Sequence, residues 1–289
     1  MSRNYHRYIL FVCLLCLSII VTSCYIHIED GPRARYERAI QLSAPLAAGS
    51  TLAAETHNGS INVDGADVTE CNLVATIVAR APTEEEAKEL ADKTEIRLEP
   101  SGAKLVTKTD KPRLKSNQSL TVSFDVQVPD RCNLELTSHN GAIEIAGITG
   151  TVTGKTYNGK VVASRVAGRI HLRTHNGGVT CSQISGDTQL KTYNGGVDVV
   201  YSETASPVCS VSVITYNGNI ALTAPPNFSA TVEVSTHNGS IQTDLPITTV
   251  GQVSKRKLTG KIGTGEGRDP ASRESSLHLE TYNGSVRIR

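Results

Sequence analysis

The chain has almost no net charge. Its 29 Lys and Arg face 28 Asp and Glu, and removing residues 1–23, which hold two Arg and no acid, moves the formal charge from +1 to −1. A protein that grips nucleic acid through its phosphates needs a basic surplus, so this balance argues against nucleic-acid binding. Beyond Cys24 the chain also has no C-x-x-C pair. Past Cys13, Cys16 and Cys24, its cysteines are the widely spaced Cys71, Cys132, Cys181 and Cys209, which leaves zinc-ribbon and thioredoxin-type chemistry without support. An oxidising compartment would permit these four to pair, though spacing fixes no connectivity. The roughly 265 residues beyond Cys24 suffice for a core without staples, so the four are expected as apolar core fillers. The Gly-rich run Gly263-Thr264-Gly265-Glu266-Gly267 is followed by neither Lys-Ser/Thr nor a helical pattern, which excludes a phosphate loop. The uncharged apolar run from Tyr8 to Ser23 is short for a bilayer span. Behind Arg3, His6 and Arg7 it has the proportions of a secretory signal.

That run ends in Val21-Thr22-Ser23-Cys24, which resembles the bacterial lipobox: an aliphatic residue, two small ones, then cysteine. The resemblance implies a signal peptide over residues 1–23, cleavage before Cys24 and a diacylglycerol on its thiol. It places the protein in the bacterial cell envelope, extracytoplasmic and lipid-anchored to a membrane, with residues 24–48 as tether and N-terminal cap. Two or more acyl chains make such an anchor stable where one would be reversible. Ordinary cleavage and an uncleaved helical anchor are the alternatives.

A hexapeptide dominates the rest. The pattern [T/S]-[H/Y]-N-G-x-[V/I] occurs eight times, starting at Thr56, Ser138, Thr156, Thr174, Thr192, Thr215, Thr236 and Thr281. From Asn140 to Asn194 the spacing is 18 residues three times running, then 23 and 21, with longer intervals of 82 after Asn58 and 45 before Asn283. A short fixed period with loop-sized variation is the mark of stacked repeats. Apolar residues alternate before each copy (Leu134 and Leu136, Ile170 and Leu172) and after it (Ile143 and Ile145, Val179 and Cys181), as strands do. Extending the alternation puts Thr or Ser, and then Asn, on the inner side. Asn-Gly turns the chain there because both residues tolerate positive φ. Ile148, Val166 and Ile184, each two residues before a Gly, supply a third inward contact and a closing corner. Hairpins would repeat at shorter spacing and need no identical residues in register. The fold class expected is therefore all-β: a single-stranded parallel β-solenoid of about eight coils over residues 49–289, with one inserted helix and a β-hairpin. Asn58, Asn140, Asn158, Asn176, Asn194, Asn217, Asn238 and Asn283 would form a buried structural ladder, with Asn283 as an end rung.

Two insertions interrupt the array. Residues 82–131 hold a helical pattern from Thr83 to Leu98, with Pro82 at its entrance, then two strands, Lys104–Thr109 and Ser119–Val128, expected to pair as a hairpin. Residues 246–276 read as a Gly-rich loop insertion, flexible over 265–276.

On these residues the chain resembles the bacterial putative-adhesin family, a β-strand-repeat domain of unknown function found behind signal or membrane segments. The eight hexapeptides carry the resemblance, with Val126-Gln127-Val128-Pro129 leading into the main array and the Gly-rich stretch before the last copy. It covers roughly residues 40–289 and implies architecture rather than activity.

Three outward features could carry chemistry. A β-helix enzyme acting on polysaccharide needs carboxylates on adjacent coils. The outward rows, Glu135, Thr153, His171, Gln189, Ser212, Glu233, His278 and Glu144, Val162, Thr180, Asp198, Ala221, Gln242, Arg287, place no two acids together. No catalytic residue, cofactor or metal is therefore expected. The residues before the Asn, His57, His139, Tyr157, His175, Tyr193, Tyr216, His237 and Tyr282, form one aromatic stripe, either a stacking platform for sugar rings or a structural shield of the corner. His139 and His175 lie two coils apart, about 9.6 Å, too far to share a metal. Lys155, Arg173 and Lys191 align on three successive coils, a repulsive row that solvent or an anion must relieve. The expectation is a non-catalytic adhesin-like binding or scaffold module, its partners a membrane through the lipid and either an anionic envelope polymer or a membrane protein. An envelope-stress accessory contacting a membrane sensor protein, and a polysaccharide-active enzyme, are the rival readings.

Overall fold

A computed structural model describes residues 20–22, 34–249, 254–263 and 275–289. The signal, Cys24 and most of the expected loop over 265–276 lie outside the described residues, apart from a short strand Ile20–Thr22 that pairs antiparallel with Ala39–Gln41. Of the expected tether and cap, Ala34–Pro45 is a strand twelve residues long.

Two twelve-stranded sheets make up the described residues, with one helix at their side. Each hexapeptide joins the two. In six of the eight the Thr/Ser-x-Asn ends a strand of one sheet, as in Thr149–Asn158, while the strands before Thr174 and Thr192 stop at Arg173 and Lys191; the Gly leads into a strand of the other sheet, as in Val161–Ser164. Strands from successive repeats then lie parallel and in register: Val152 pairs with Ile170, Ile170 with Thr188, Val161 with Val179, and Val179 with Val197. Parallel neighbours need a crossover of a dozen or more residues, and here the opposite sheet supplies it within the 18-residue period. Apolar side chains of both sheets meet between them, with Leu134, Ile143, Ile170, Leu172, Val199 and Val213 fully buried. Ile148, Val166 and Ile184 join this core at the far corner.

The sheets are mixed rather than purely parallel, which corrects one expectation. Antiparallel strands finish one end of the first sheet, whose other end is the parallel strand Ile241–Thr243, and both ends of the second. At one end Ala34–Pro45 pairs with Glu70–Ala81, which pairs in turn with Ser119–Pro129. At the other, Lys257–Ile262 pairs with Ala230–Asn238 and with Ile247–Thr249. Part of the second insertion is thus strand, not loop. An exposed parallel edge would template association, and these turned-back strands cover it at three of the four sheet ends.

The first insertion is also rearranged. The helix runs Glu84–Asp92, capped by Thr83, whose Oγ1 accepts the Glu86 N–H at 3.3 Å. Ala87, Leu90 and Ala91 are buried on one face. It stops short of Leu98 because Ile96 and Leu98 alternate with exposed Glu95 and Arg97, a period of two that a helix cannot bury on one side. Glu95–Ser101 is a strand, and it forms the hairpin with Lys104–Asp110. Ser119–Pro129 goes to the other sheet, so the two strands read as a hairpin are in different layers.

The last repeat is out of sequence order. Ser275–Asn283 lies between Ser210–Asn217 and Ala230–Asn238, and Val286–Ile288 lies between Ile220–Thr223 and Ile241–Thr243.

The Asn-Gly corners do not depend on positive φ. No Asn of the hexapeptides adopts it, and of their glycines only Gly59 does. Glycine is required there by close approach. A Cβ on Gly195 would sit 2.1 Å from the carbonyl oxygen of Gly177, the same corner one repeat earlier, and the other hexapeptide glycines meet a backbone carbonyl one rung back at 1.9–2.1 Å, for Gly59 that of Val122.

The four described cysteines are buried, and Cys71, Cys132 and Cys181 are free thiols. Burial pushes the thiols of Cys71 and Cys181 up to about 12 and that of Cys132 to about 11, from an ordinary value of 9.0. Because the folded values are raised, the contribution of the neutral thiols is complete below pH 9 and is lost as pH rises toward the folded values. The stability gap between wild type and Cys181→Ala is therefore expected to narrow in denaturant titrations above pH 9.

Adjacent glycines test the corner. A Cβ on Gly196 would meet only the Asn219 carbonyl oxygen at 3.4 Å, an ordinary contact. Gly195→Ala is expected to cost about 1–3 kcal/mol or more, and Gly196→Ala within about 0.5 kcal/mol of wild type. Equal midpoints in chemical denaturation would remove the close-approach argument.

Candidate functional site: a groove between a cation row and a ring stack

The in-register corner turns each position of the hexapeptide into a column. The first column is Thr or Ser. All eight are buried, and each hydroxyl donates to a carbonyl one rung back at 2.7–3.0 Å: Thr56 to Val122, Ser138 to Gly59, Thr156 to Gly141, and on to Thr281 to Gly218 and Thr236 to Gly284. These bonds satisfy the carbonyls at the buried corners.

The Asn column does form a ladder, but at the solvent edge and not inside. Asn140, Asn158, Asn176, Asn194, Asn238 and Asn283 are exposed, and Asn58 and Asn217 half-buried. The corner itself breaks the two-residue alternation after Thr, which swings the next two side chains outward. Every Nδ2 donates in one direction, from Asn238 to Asn283, to Asn217, to Asn194, to Asn176, to Asn158, to Asn140 and to Asn58, at 2.7–2.8 Å. The run closes on the Leu120 carbonyl at 3.4 Å. Asn238, not Asn283, is the end rung.

The ring column is continuous. His57, His139, Tyr157, His175, Tyr193, Tyr216, Tyr282 and His237 stack in that order, with centroids 4.5–5.2 Å apart and planes within 25°. The strand spacing of about 4.8 Å forces rings at one position to lie on each other. Interior rings therefore have both faces covered, which overturns the idea of a sugar-stacking platform. What they present is their edges, electropositive in an aromatic ring, with the phenol and imidazole tips. Among the described residues no cluster of three His, Cys, Asp or Glu could hold a metal ion.

Two residues before the ring in the chain stands the cation row. Lys155, Arg173 and Lys191 are exposed, occupy paired positions on neighbouring strands, and take part in none of the ion pairs among the described residues. Row and stack point outward on either side of the buried Thr column. Between them runs a groove of about 460 Å³ lined by Lys155, Arg173, Lys191, Tyr157, His175 and Tyr193. Glu55 and Glu280 occupy the same column as the cations. Sequence reading missed them, although each directly precedes its hexapeptide, because the second takes its place only through the out-of-order last strand.

The outward rows are reordered by that strand too: His278 follows Ser212 and precedes Glu233, and Arg287 precedes Gln242. His278 has Glu233 at 3.6 Å and Glu280 at 3.7 Å. No helix among the described residues is long and apolar enough to cross a membrane.

These features define a class: an all-β repeat protein whose stacked corners carry a polar, open groove. A family described as a domain of unknown function (DUF7330) matches residues 110–289, and the chain belongs to it. No curated protein matches. Among solved structures it is similar to a putative cell adhesion protein from Clostridium sporogenes, 11% identical, with 86% of this chain and 97% of that one covered and a TM-score of 0.38. A putative adhesin from Bacteroides fragilis is 10% identical over 87% and 97%, with a TM-score of 0.39. A putative lipid binding protein from Parabacteroides distasonis is 9% identical over 87% and 96%, with a TM-score of 0.30.

The ladder is open to test. Asn176→Ala removes two rung bonds and Asn238→Ala one, so the first is expected to cost about 1 kcal/mol and the second about half as much. Denaturant midpoints of the two variants measure the difference.

Proposed function

We propose that this protein is a non-catalytic binding module of the cell envelope. In this reading it is a two-sheet β-solenoid tethered through a lipid on Cys24, and it holds an elongated anionic ligand along the groove. The observation that carries the reading is the aligned row Lys155, Arg173 and Lys191 beside a stack of ring edges. Like charges on neighbouring rungs about 4.8 Å apart repel and do nothing for folding, whereas an anion laid along them relieves all three at once. The neighbouring ring edges attract the same sign of charge. The groove runs along several rungs, which suits a polymer better than a small molecule. Support for the tether comes from the apolar run ending at Val21-Thr22-Ser23-Cys24. Cleavage before Cys24 would also remove Ile20–Thr22 and leave Ala34–Pro45 as the edge strand.

Changing Lys155, Arg173 and Lys191 together to Gln is expected to leave the fold intact or slightly stabilised. It is expected to weaken association with isolated anionic envelope polymer, and that association should fade with added salt, since exposed charges are screened within about 8 Å at physiological ionic strength. Superimposable wild-type and mutant binding across a salt series would remove the cation row from the site. For the tether, Cys24→Ser should move the protein out of the membrane fraction or block its processing, and an unmodified mature N-terminus by intact mass would overturn lipidation.

A further inference from the structure

Resting on the cleavage before Cys24 proposed above, we propose that the mature protein pairs with a second copy of itself through the strand Ala34–Pro45, and that Ile20–Thr22 covers this edge until the signal is removed. Ile20–Thr22 lies antiparallel along Ala39–Gln41 only, three of the twelve residues of the strand. The edge therefore already accepts an antiparallel strand, and cleavage takes that strand away.

Once Ile20–Thr22 is gone, the four sheet ends are not alike. Ile241–Thr243 and Ile247–Thr249 are three residues long. Glu95–Ser101 holds Pro100, and its Arg97 pairs with Glu95, Glu99 and Asp110. Short length, proline and charge are the devices that keep an edge from recruiting a strand. Ala34–Pro45 has none of them from Ala39 to Ala44. Its charged residues are engaged within the chain: Arg35 binds Glu37 at 2.5 Å, and Arg38 donates to the Ala91 carbonyl at 3.2 Å. Left bare, such an edge presents a row of backbone donors and acceptors that another strand satisfies.

The strand matches itself. Tyr36, Ile40, Leu42 and Ala44 are buried on the core side, and Ala39, Gln41 and Ser43 alternate with them on the outer side. A two-fold axis through Gln41 keeps the core sides of both copies together. It sets Ile40 opposite Leu42 of the partner copy, Ala39 opposite Ser43, and Gln41 opposite Gln41, whose amides donate to and accept from each other. Arg38 and Glu37 then face Ala44 and Pro45, so no like charges meet. A foreign strand would have to reproduce this pattern, whereas a second copy carries it already, and the lipid holds both copies in one membrane. A single strand pair is small beside the roughly 1,200–2,000 Å² of a stable interface, so confinement to the membrane supplies the concentration the contact needs.

Cross-linking in isolated membranes tests the proposal, since the described native cysteines are buried and do not compete. Gln41→Cys treated with a short bis-maleimide is expected to give a covalent dimer, while Gln189→Cys, exposed on the other sheet, gives none. When signal cleavage is inhibited, the Gln41→Cys precursor should give several-fold less dimer. Two differently tagged copies, both Gln41→Lys or both Gln41→Glu, should co-purify about two- to fivefold less than wild type, and a Gln41→Lys copy with a Gln41→Glu copy should recover the wild-type level. With cleavage confirmed by intact mass, absence of the Gln41→Cys dimer, or capture of a different protein in its place, would overturn pairing between copies and leave the tether standing. An equally strong dimer in the precursor would overturn the covering role of Ile20–Thr22, and equal co-purification of like and opposite charges would overturn the pairing about Gln41. An uncleaved N-terminus would overturn the tether reading and this proposal with it. Gln41 is exposed, and unchanged thermal midpoints confirm that its variants fold.

Discussion

Everything in this structure follows from the way one corner sits on the next. At each step three hydrogen bonds are made: the Thr or Ser hydroxyl donates to the corner carbonyl before it, the Asn amide donates to the Asn before it, and the Gly N–H donates to the Asn carbonyl after it, as Gly159 does to Asn176 at 3.0 Å. The glycine Cα lies so near the preceding carbonyl that no side chain fits. A slip of one residue would break all three bonds and drive a Cβ into that oxygen. Register is fixed with unusual strictness, and every other outward position is lined up as a result. The eight rings stack and the three cations meet because the corner permits no other arrangement.

That dependence explains what was legible in the sequence. The repeat names its own neighbours, so the strands, the buried Thr column, the ring stripe and the cation row can all be read from spacing. Burial at the turn cannot, because the two-residue alternation that predicts it ends where the chain bends; hence the Asn ladder was expected inside and lies at the edge. The glycines show the same limit. Positive φ is a property of one residue and easily guessed, whereas the contact of Gly195 with Gly177 exists only between repeats. Insertions hide the most. Within the long interval before Asn283 nothing marks which repeat the last one joins, and the place of Glu280 in the cation column depended on that assignment.

The columns also separate two kinds of residue that repetition alone would merge. Thr, Asn and Gly recur at every corner because each serves its copies above and below. The residue before the Thr does not recur: Glu55, Thr137, Lys155, Arg173, Lys191, Ile214, Ser235 and Glu280 share a position and little else. A position that the scaffold leaves free and that nonetheless carries a charge pattern is where a repeat protein can hold information about a partner.

The out-of-order strand Ser275–Asn283 has a consequence for how the molecule is made. It enters between Ser210–Asn217 and Ala230–Asn238, both of which precede it in the chain. Until it arrives, Ala230–Asn238 has no parallel neighbour on that side, and the array cannot grow by adding each repeat as it emerges. Assembly of the part from Ala230 onward must wait, with unpaired strand edges held open, until the last piece is delivered. A chain arriving across a membrane from its N-terminus would finish folding in a single late event, which makes the closing strand a checkpoint on whether the whole array has come through.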